Sequence, residues 1–368
     1  MKKIIVAPDS FKGSLSAQQV ASIISAEILA SIPGCMVVPM PIADGGEGSV
    51  EAIISAVGGR IVEARVLSPD ERQITAGFGI TAKGQAVLEM AQSSGITRQI
   101  GLHPMTSSTY GFGQLILCAL ELGLRDFFLC IGGSATTDGG CGMAAALGVE
   151  FLDDARAGFV PSGATLQRIA HLEMSGLDKR VVQSSFTVLC DADNPLYGPS
   201  GAAFVYGPQK GASPEQVEIL DLGLRHLSEL VLRTLGSEHA HTPGAGCAGG
   251  LGFGCATMLN ARLVRGIDAI LELCGFKDEL AGASLIITGE GRLDGQSLSG
   301  KALSGILKVA KGIKVVSICG VSDLDASELG KHGLTVFETS EGVSVNESRK
   351  NPEKYLRLAA NKAMTLLL

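Results

Sequence analysis

Residues 127–148 read FFLCIGGSATTDGGCGMAAALG, where an apolar run meets glycines, small hydroxyl residues and Asp138 before a small-residue helix begins. Because glycine adopts backbone conformations that other residues resist, the stretch is typical of a tight turn between a strand and a helix. A second interpretation is an anion cradle, in which amide groups at a helix N-terminus and Ser or Thr hydroxyls donate to phosphate. The stretch alone leaves both interpretations open.

Apolar runs that end in polar, glycine-containing turns recur along the chain. They include KIIVAPDSFKGS (3–14), MVVPMPIADGGEGS (36–49), FTVLCDADNP (186–195) and SLIITGEGRLDG (284–295). Most are followed by a helical pattern, and Ser16 begins the first helix with the spacing of a capping box. Continuous apolar strands that alternate with helices predict a parallel sheet covered on both faces.

Polar side chains follow several of these predicted strands. They are Asp9, Asp44, Ser134, Asp191 and Glu290. An isolated Asp in such a position usually caps a helix or forms a turn. Ligands of parallel α/β sheets bind beyond the carboxyl ends of the strands, so five such residues together indicate a shared site.

Two regions interrupt the alternation of strands and helices. Residues 61–90 have the pattern of an antiparallel meander, and residues 150–254 mix short strands with Gly and Pro turns. We therefore predict an α/β protein with a Rossmann-like, doubly wound domain, a second, inserted smaller α/β domain and an active site in the cleft between them. The predicted first domain is 1–62, 106–149 and 258–368, and the second is 63–105 and 150–257.

The composition excludes several classes of protein. A net charge of −7 gives no general attraction to nucleic acid or to anionic membranes. The nine cysteines include no C-x-x-C pair, which is typical of reduced intracellular thiols. The N-terminal apolar run is too short for a signal peptide, so we expect a cytoplasmic enzyme with a small-molecule substrate. The sequence does not decide whether the protein forms a homo-oligomer.

Two stretches match known nucleotide-binding motifs only in part. Residues 295–301 spell G-x-x-x-x-G-K, but Ala302 stands where a P-loop has Ser or Thr. Lys301 begins a helix there, either as a phosphate ligand or as a solvated side chain. Residues 244–249 spell G-x-G-x-x-G without a preceding apolar strand, which disfavours a dinucleotide fingerprint and favours a glycine hinge or a loop near the substrate.

Two other segments concentrate charge. Glu290, Arg292, Asp294 and Lys301 crowd one predicted loop, either to hold phosphate and a metal ion or as a surface salt-bridge cluster. Asp191 shares one face of an extended segment with the acid two residues later, so the pair could bracket a cation. Alternatively, one of them accepts a proton from a substrate hydroxyl, or both belong to a turn before a proline.

Several motifs in order along the chain resemble the bacterial glycerate kinase type-1 family. They are APDSFKGSLSA, ADGGEG, GGSATTDGG, CDADNPLYGPSGAA followed by GPQKGA, and ITGEGRLDGQSLSGKA. The family pattern usually has Asn before Asp138, where this chain has Thr137, and a proline after Lys301 that is missing here. The resemblance implies an ATP-dependent phosphotransferase that acts on D-glycerate, with Mg²⁺ as its cofactor.

Phosphoryl transfer needs positioned phosphates, neutralised charge and a carboxylate near the attacking hydroxyl. The predicted ATP-binding residues are Gly132, Gly133, Ser134, Thr136 and Asp138. The predicted substrate-binding residues are Asp9, Ser10, Lys12, Glu290 and Arg292, with Arg292 on the glycerate carboxylate. The predicted catalytic residues are Asp191, Asp294 and Lys301, and Asp191 is also the candidate Mg²⁺ ligand. Whether the product is 2-phosphoglycerate or 3-phosphoglycerate stays open, and the alternatives are another hydroxy acid as acceptor or a dinucleotide-dependent oxidoreductase.

Overall fold

The computed structural model describes residues 2–43, 45–295, 297–298 and 302–367. The strands are β1 (Lys3–Pro8), β2 (Met36–Pro39), β3 (Gly59–Leu67), β4 (Gln73–Thr81), β5 (Ala86–Glu89), β6 (Asp126–Cys130), β7 (Glu150–Leu152), β8 (His171–Glu173), β9 (Ser185–Leu189), β10 (Arg262–Val264), β11 (Ala283–Gly289), β12 (Arg292–Leu293), β13 (Lys314–Cys319), β14 (Val321–Ser322) and β15 (Leu334–Glu338).

The helices are α1 (Ala17–Ser31), α2 (Ser49–Val57), α3 (Ala91–Ser94), α4 (Tyr110–Glu121), α5 (Cys141–Ala146), α6 (Lys179–Val182), α7 (Ala202–Tyr206), α8 (Pro214–Leu235), α9 (Cys247–Met258), α10 (Gly266–Leu273), α11 (Phe276–Glu279), α12 (Ala302–Val309), α13 (Ala326–Lys331), α14 (Val345–Lys350) and α15 (Pro352–Leu367). Short 3-10 helices cover Ile96–Arg98, Gly163–Arg168 and Pro208–Lys210. Among the helices of the described residues, none combines the length and the apolar character needed to cross a membrane.

The chain divides into two compact units. The first comprises Met1–Asp44, Glu51–Gly58 and Ile267–Leu368, and the second comprises Gly45–Val50 and Gly59–Gly266.

The first unit is built on a five-stranded parallel sheet in the order β15-β13-β11-β1-β2. On one face, Ile4 and Val6 of β1 join a core with residues of α1 and α15, such as Ile24 and Leu356. Ile5 alternates with these residues and is also fully buried, so the strand is apolar along its length, as expected for a doubly covered parallel sheet. The predicted parallel α/β architecture is confirmed for this unit.

The predicted capping box of α1 is also confirmed. The Ser16 hydroxyl accepts from the amide of Gln19, and the Gln19 side chain accepts from the amide of Ser16. These two bonds satisfy amide groups that have no partner within the helix. The helix therefore begins where its own sequence signals it, directly after the loop that follows β1.

The second unit holds a six-stranded sheet in the order β10-β9-β6-β5-β4-β3. The pairs β10–β9, β9–β6 and β6–β5 are parallel, whereas β5–β4 and β4–β3 are antiparallel. The antiparallel part is the meander predicted for residues 61–90. Phe127 of β6 stacks on Phe186 of β9 with ring centroids 4.7 Å apart, inside a core that α4 covers through Phe112.

The observed division of the chain corrects the predicted domain boundaries. The sequence assigns 106–149 to the first domain, but these residues lie in the second unit, because β6 pairs with β5 on one side and with β9 on the other. Residues 45–50, 59–62 and 258–266 also lie in the second unit. That unit is the larger of the two, whereas the sequence predicts a smaller inserted domain.

Candidate active site

The carboxyl ends of β1 and β11 bring part of the predicted substrate-binding set together in the first unit. The amide of Asp9 donates to the Gly289 carbonyl at 2.8 Å. A Cβ on Gly291 would lie 3.4 Å from the Lys12 amide nitrogen, so the two loops touch. Asp9 is buried, Ser10 and Glu290 are half-buried and Lys12 is exposed. These predicted residues thus share one edge of the sheet.

The same segment contains side chains that are already engaged locally. Arg292 pairs with Asp323 at 2.8 Å, and both side chains are about half exposed, at 58% and 48%. Exposed pairs of this kind contribute little to stability. Asp294 accepts from the Ser297 amide at 3.1 Å and forms a local turn. Lys301, a predicted catalytic residue, lies outside the described residues.

In the second unit, residues 132–138 form a loop after β6 that we call the GGSATTD loop. The amide of Gly132 donates to the Gly45 carbonyl at 3.2 Å, and a Cβ on Gly132 would lie 2.7 Å from Gly46 Cα. Gly132 is therefore a glycine because another loop passes close to it. This corrects the prediction that its amide donates to phosphate.

The next two amides of the GGSATTD loop make no hydrogen bond to the described residues. Gly133 is exposed and has a φ of +79°, a conformation that favours glycine. Within the described ranges, no acceptor lies within hydrogen-bond distance of the amide of Gly133 or of Ser134. Two successive backbone N–H groups without a protein partner are suited to bind an anion.

The hydroxyl groups of the GGSATTD loop hold its shape. Ser134 Oγ lies 3.0 Å from Thr136 Oγ1, accepts from the Thr136 amide at 3.0 Å and lies 3.3 Å from the Ala248 carbonyl. Ala248 belongs to the glycine-rich stretch at 244–250. In that stretch, a Cβ on Gly249 would lie 1.9 Å from the Thr136 carbonyl oxygen. The predicted loop near the substrate therefore packs directly against the GGSATTD loop.

Asp138 closes the GGSATTD loop from inside the protein. It has no exposed surface, and its carboxylate accepts from the amide and hydroxyl of Thr109, both at 2.8 Å, and from the amides of Gly140 and Gly142. Burial raises the pKa of Asp138, and these hydrogen bonds oppose the shift. We therefore reassign Asp138 from phosphate binding to support of the loop.

A second loop of this unit carries the predicted catalytic Asp191. It follows β9, the neighbour of β6, so it lies beside the GGSATTD loop. Asp191 is exposed, and its Oδ1 accepts from the Gly266 amide at 2.9 Å. Asp193 is exposed and lies 3.8 Å from Arg265. Asn194 bonds to Tyr206 and to the carbonyl of Ser200, which fixes the predicted turn.

Sequence reasoning did not assign a role to three buried polar residues of this unit. Glu89 ends β5 without exposed surface and accepts from the amides of Gly48 and Val50. Thr109 bonds to Asp138, as described. Lys210 is 3% exposed, and its Nζ donates to the Thr136 carbonyl at 2.6 Å. The position of Glu89 at the end of an apolar strand could have indicated its role. The sequence around Lys210, a turn that contains Gly and Pro, does not indicate that this lysine is buried.

The described residues offer few clustered ligands for a metal ion. Among the described residues, no three or more His, Cys, Asp or Glu side chains converge on one point. Mg²⁺ in phosphoryl-transfer enzymes is usually held by one or two carboxylates together with substrate phosphates and water. The exposed carboxylate of Asp191, beside two open amides, fits that kind of site.

An exposed glycine turn at the carboxyl end of a parallel strand, with a carboxylate on the adjacent loop, lies at the edge of the sheet where α/β enzymes bind their ligands. The family model described as the glycerate kinase family matches residues 4–368. The chain therefore belongs to the glycerate kinase family. It is an enzyme that transfers a phosphoryl group to an alcohol, as the kinases of this family do.

Individual relatives agree with this assignment. A protein named glycerate kinase from Bacillus subtilis (strain 168) is 40% identical over 365 residues, which cover 97% of this chain and 96% of the relative. A protein named glycerate 2-kinase from Escherichia coli (strain K12) is 38% identical over 374 residues, covering 100% and 98%. A crystal structure described as a putative glycerate kinase 2 from Salmonella typhimurium LT2 matches with a TM-score of 0.88 and 36% identity, covering 100% of this chain and 98% of the other.

Proposed function

We propose that the chain transfers the terminal phosphoryl group of ATP to D-glycerate and that the product is 2-phosphoglycerate. Membership of the glycerate kinase family supports the acceptor. The name of the Escherichia coli relative, glycerate 2-kinase, supports the 2-hydroxyl as the attacking group. The structural observation that carries the proposal is the pair of open amides at Gly133 and Ser134, beside the loop of Asp191.

In this proposal, the GGSATTD loop binds the phosphates of the nucleotide. The amides of Gly133 and Ser134 donate to phosphate oxygens, and the contacts between Ser134 and Thr136 keep the loop in its observed conformation. Donors that are already oriented lose little freedom on binding and need no rearrangement during the reaction. Gly132 contributes by allowing the close approach of residues 45–46.

Asp191 is the proposed general base for the acceptor hydroxyl. It is exposed, and the Gly266 amide holds one of its oxygens at 2.9 Å, so the carboxylate has a fixed position at the end of β9. A carboxylate that accepts the hydroxyl proton makes the oxygen a better nucleophile toward the phosphoryl group. Asp294 is the competitor for this role in the first unit, where it already accepts from Ser297.

In the alternative assignment, Asp191 and the phosphates would hold Mg²⁺, the ion would neutralise charge on the transferred group, and Asp294 would be the base. The proposed role of Lys301, and of the exposed Lys12, is to add positive charge in the transition state. Arg292 remains our candidate for the carboxylate of D-glycerate, because its guanidinium can bind a carboxylate through two parallel hydrogen bonds. Its pairing with Asp323 is exposed to solvent, so exchange for a substrate carboxylate costs little.

ADP release tests the proposed function. The purified protein would be assayed with ATP and Mg²⁺ in the presence of D-glycerate, L-glycerate, another small hydroxy acid or no acceptor. We expect turnover with D-glycerate and a phosphorus NMR spectrum that matches 2-phosphoglycerate. A product that matches 3-phosphoglycerate would refute the proposed regiochemistry. Absence of turnover with every acceptor would refute the proposed substrate.

The location of the protein in the cell and the identity of its nucleotide are also proposals. We propose a cytoplasmic location, supported by nine cysteines that the structure places as free thiols. Binding of NAD(P)H in place of ATP would favour the oxidoreductase alternative, which the missing strand before residues 244–249 disfavours. An enhanced or blue-shifted NADH emission in the presence of the protein, relative to NADH alone, would indicate NADH binding, and calorimetry measures ATP binding separately.

A further inference from the structure

Lys210 is a buried lysine next to the proposed phosphate-binding loop. It ends the short 3-10 helix Pro208–Lys210, and Gly211 follows in a left-handed conformation with a φ of +92°. Its Nζ donates to the carbonyl oxygen of Thr136 at 2.6 Å. In the part of the chain that the structure describes, no carboxylate oxygen lies within 4.0 Å of Nζ.

Burying an ammonium group without an ion-pair partner is costly, so a chain that keeps one usually gains something else from it. The side chain is only 3% exposed, which excludes a solvated surface lysine. Its contact is with the backbone of the GGSATTD loop, 74 residues away along the chain. Thr136 lies two residues after Ser134, whose amide is open and whose hydroxyl bonds to Thr136.

We propose that Lys210 is a positioning residue for nucleotide binding. Its ammonium group fixes the Thr136 carbonyl on the inner side of the GGSATTD loop and places a positive charge behind the Gly133 and Ser134 amides, which raises the affinity of the loop for phosphate. The inference rests on the proposed function of that loop. Because the side chain is buried, Lys210 acts through the loop and does not touch the substrate.

The titratable groups around Lys210 are few. Asp138 and the thiol of Cys247 face it, and both favour its charged form, whereas burial lowers its pKa to about 8. Tyr206 lies on α7, which precedes the 3-10 helix, and burial raises the pKa of its hydroxyl. The hydrogen bond with Cys190 lowers the pKa of the Cys247 thiol.

The test is the affinity for ATP, measured by isothermal titration calorimetry between pH 7 and 9.5. In the wild-type protein the affinity should fall as the pH rises through about 8, since Lys210 loses its charge there. Lys210→Met should bind ATP about tenfold more weakly at pH 7 and lose this pH dependence. The KM for D-glycerate at saturating ATP should change by less than about twofold, because the lysine acts on the nucleotide loop.

Two control variants distinguish the effect of Lys210 on ATP affinity from the effects of other titratable groups. Cys247→Ser removes the neighbouring thiol and should keep the pH dependence, and Lys83→Met removes an exposed lysine of the same unit and should change nothing. A wild-type affinity for ATP that is constant from pH 7 to 9.5 would overturn the inference even if Lys210→Met does not fold. Loss of the pH dependence in Cys247→Ser would also overturn it. Absence of ATP binding by the wild-type protein at every pH would instead refute the proposed function.

Discussion

Replacing Lys210 by Met should make the stability difference between the wild-type protein and the variant depend on pH. The folded-state pKa of Lys210 is lowered to about 8 from an ordinary 10.5 by burial. Between these values the unfolded chain binds the proton and the folded protein does not, so the free energy of unfolding of the wild type rises with pH. Below about pH 8 both states are charged, and the difference is constant.

The size of the effect follows from the shift. A lowering by 10.5 − 8, or 2.5 pH units, corresponds to about 3 kcal/mol, because one unit equals about 1.4 kcal/mol. This is the free energy that the folded protein loses by keeping the buried ammonium charged at neutral pH. From pH 8 to pH 10.5 the wild type should therefore gain about 3 kcal/mol relative to Lys210→Met.

Urea unfolding followed by far-ultraviolet circular dichroism at several pH values gives this difference. The sequence contains no Trp, so tryptophan fluorescence cannot serve as the probe. Other lysines, tyrosines and cysteines titrate in both proteins and cancel in the comparison. A difference that stays constant from pH 8 to pH 10.5 would mean that Lys210 keeps its charge in the folded protein, and the reasoning would be refuted.

Three further substitutions test other contacts. Asp191→Asn should lower kcat by about 10²–10⁴-fold in the ADP-release assay, because an amide cannot accept the hydroxyl proton. Gly132→Ala should lower the free energy of unfolding by about 1–3 kcal/mol in urea, since its Cβ would lie 2.7 Å from Gly46 Cα. Thr109→Val should lower it by about 1–3 kcal/mol, because the buried Asp138 carboxylate loses a 2.8 Å hydrogen bond.

The controls for these substitutions lie in the same chain. Gly330→Ala adds a Cβ with nothing within 4 Å and should leave stability nearly unchanged. For Asp191→Asn, an unchanged unfolding transition must accompany the loss of kcat, and near-normal turnover would remove Asp191 from the mechanism. A Thr109→Val protein as stable as the wild type would show that the hydroxyl bond to Asp138 is dispensable.

Local signals in the sequence predicted much of the fold. The capping box at Ser16 and Gln19, the antiparallel meander at 61–90 and the glycine turn after β6 each depend on residues within a few positions of one another. Such features follow from backbone preferences and side-chain alternation, which are properties of a short segment. The motifs that resemble the glycerate kinase family are also short segments, so they could be recognised without the structure.

Features that depend on distant residues were not predictable in this way. The contact between Lys210 and Thr136 joins positions 74 residues apart, and the need for glycine at 132 comes from the passage of residues 45–46. The domain assignment of 106–149 failed because strand pairing, not strand order along the chain, decides which unit β6 joins. A single sequence shows the hydrophobic pattern of each strand, but it does not show which strands are neighbours in the sheet.

The sheet order of the first unit also bears on the order of folding during synthesis. β1 is hydrogen-bonded between β2 and β11, and the side chain of Thr288 bonds to the carbonyl of Ala7, 281 residues earlier in the chain. Most of the second unit, from Gly59 to Gly266, precedes β11 in the chain. β1 is therefore synthesised first but cannot be paired on both sides until β11 is available, and until then its apolar residues lack a finished sheet.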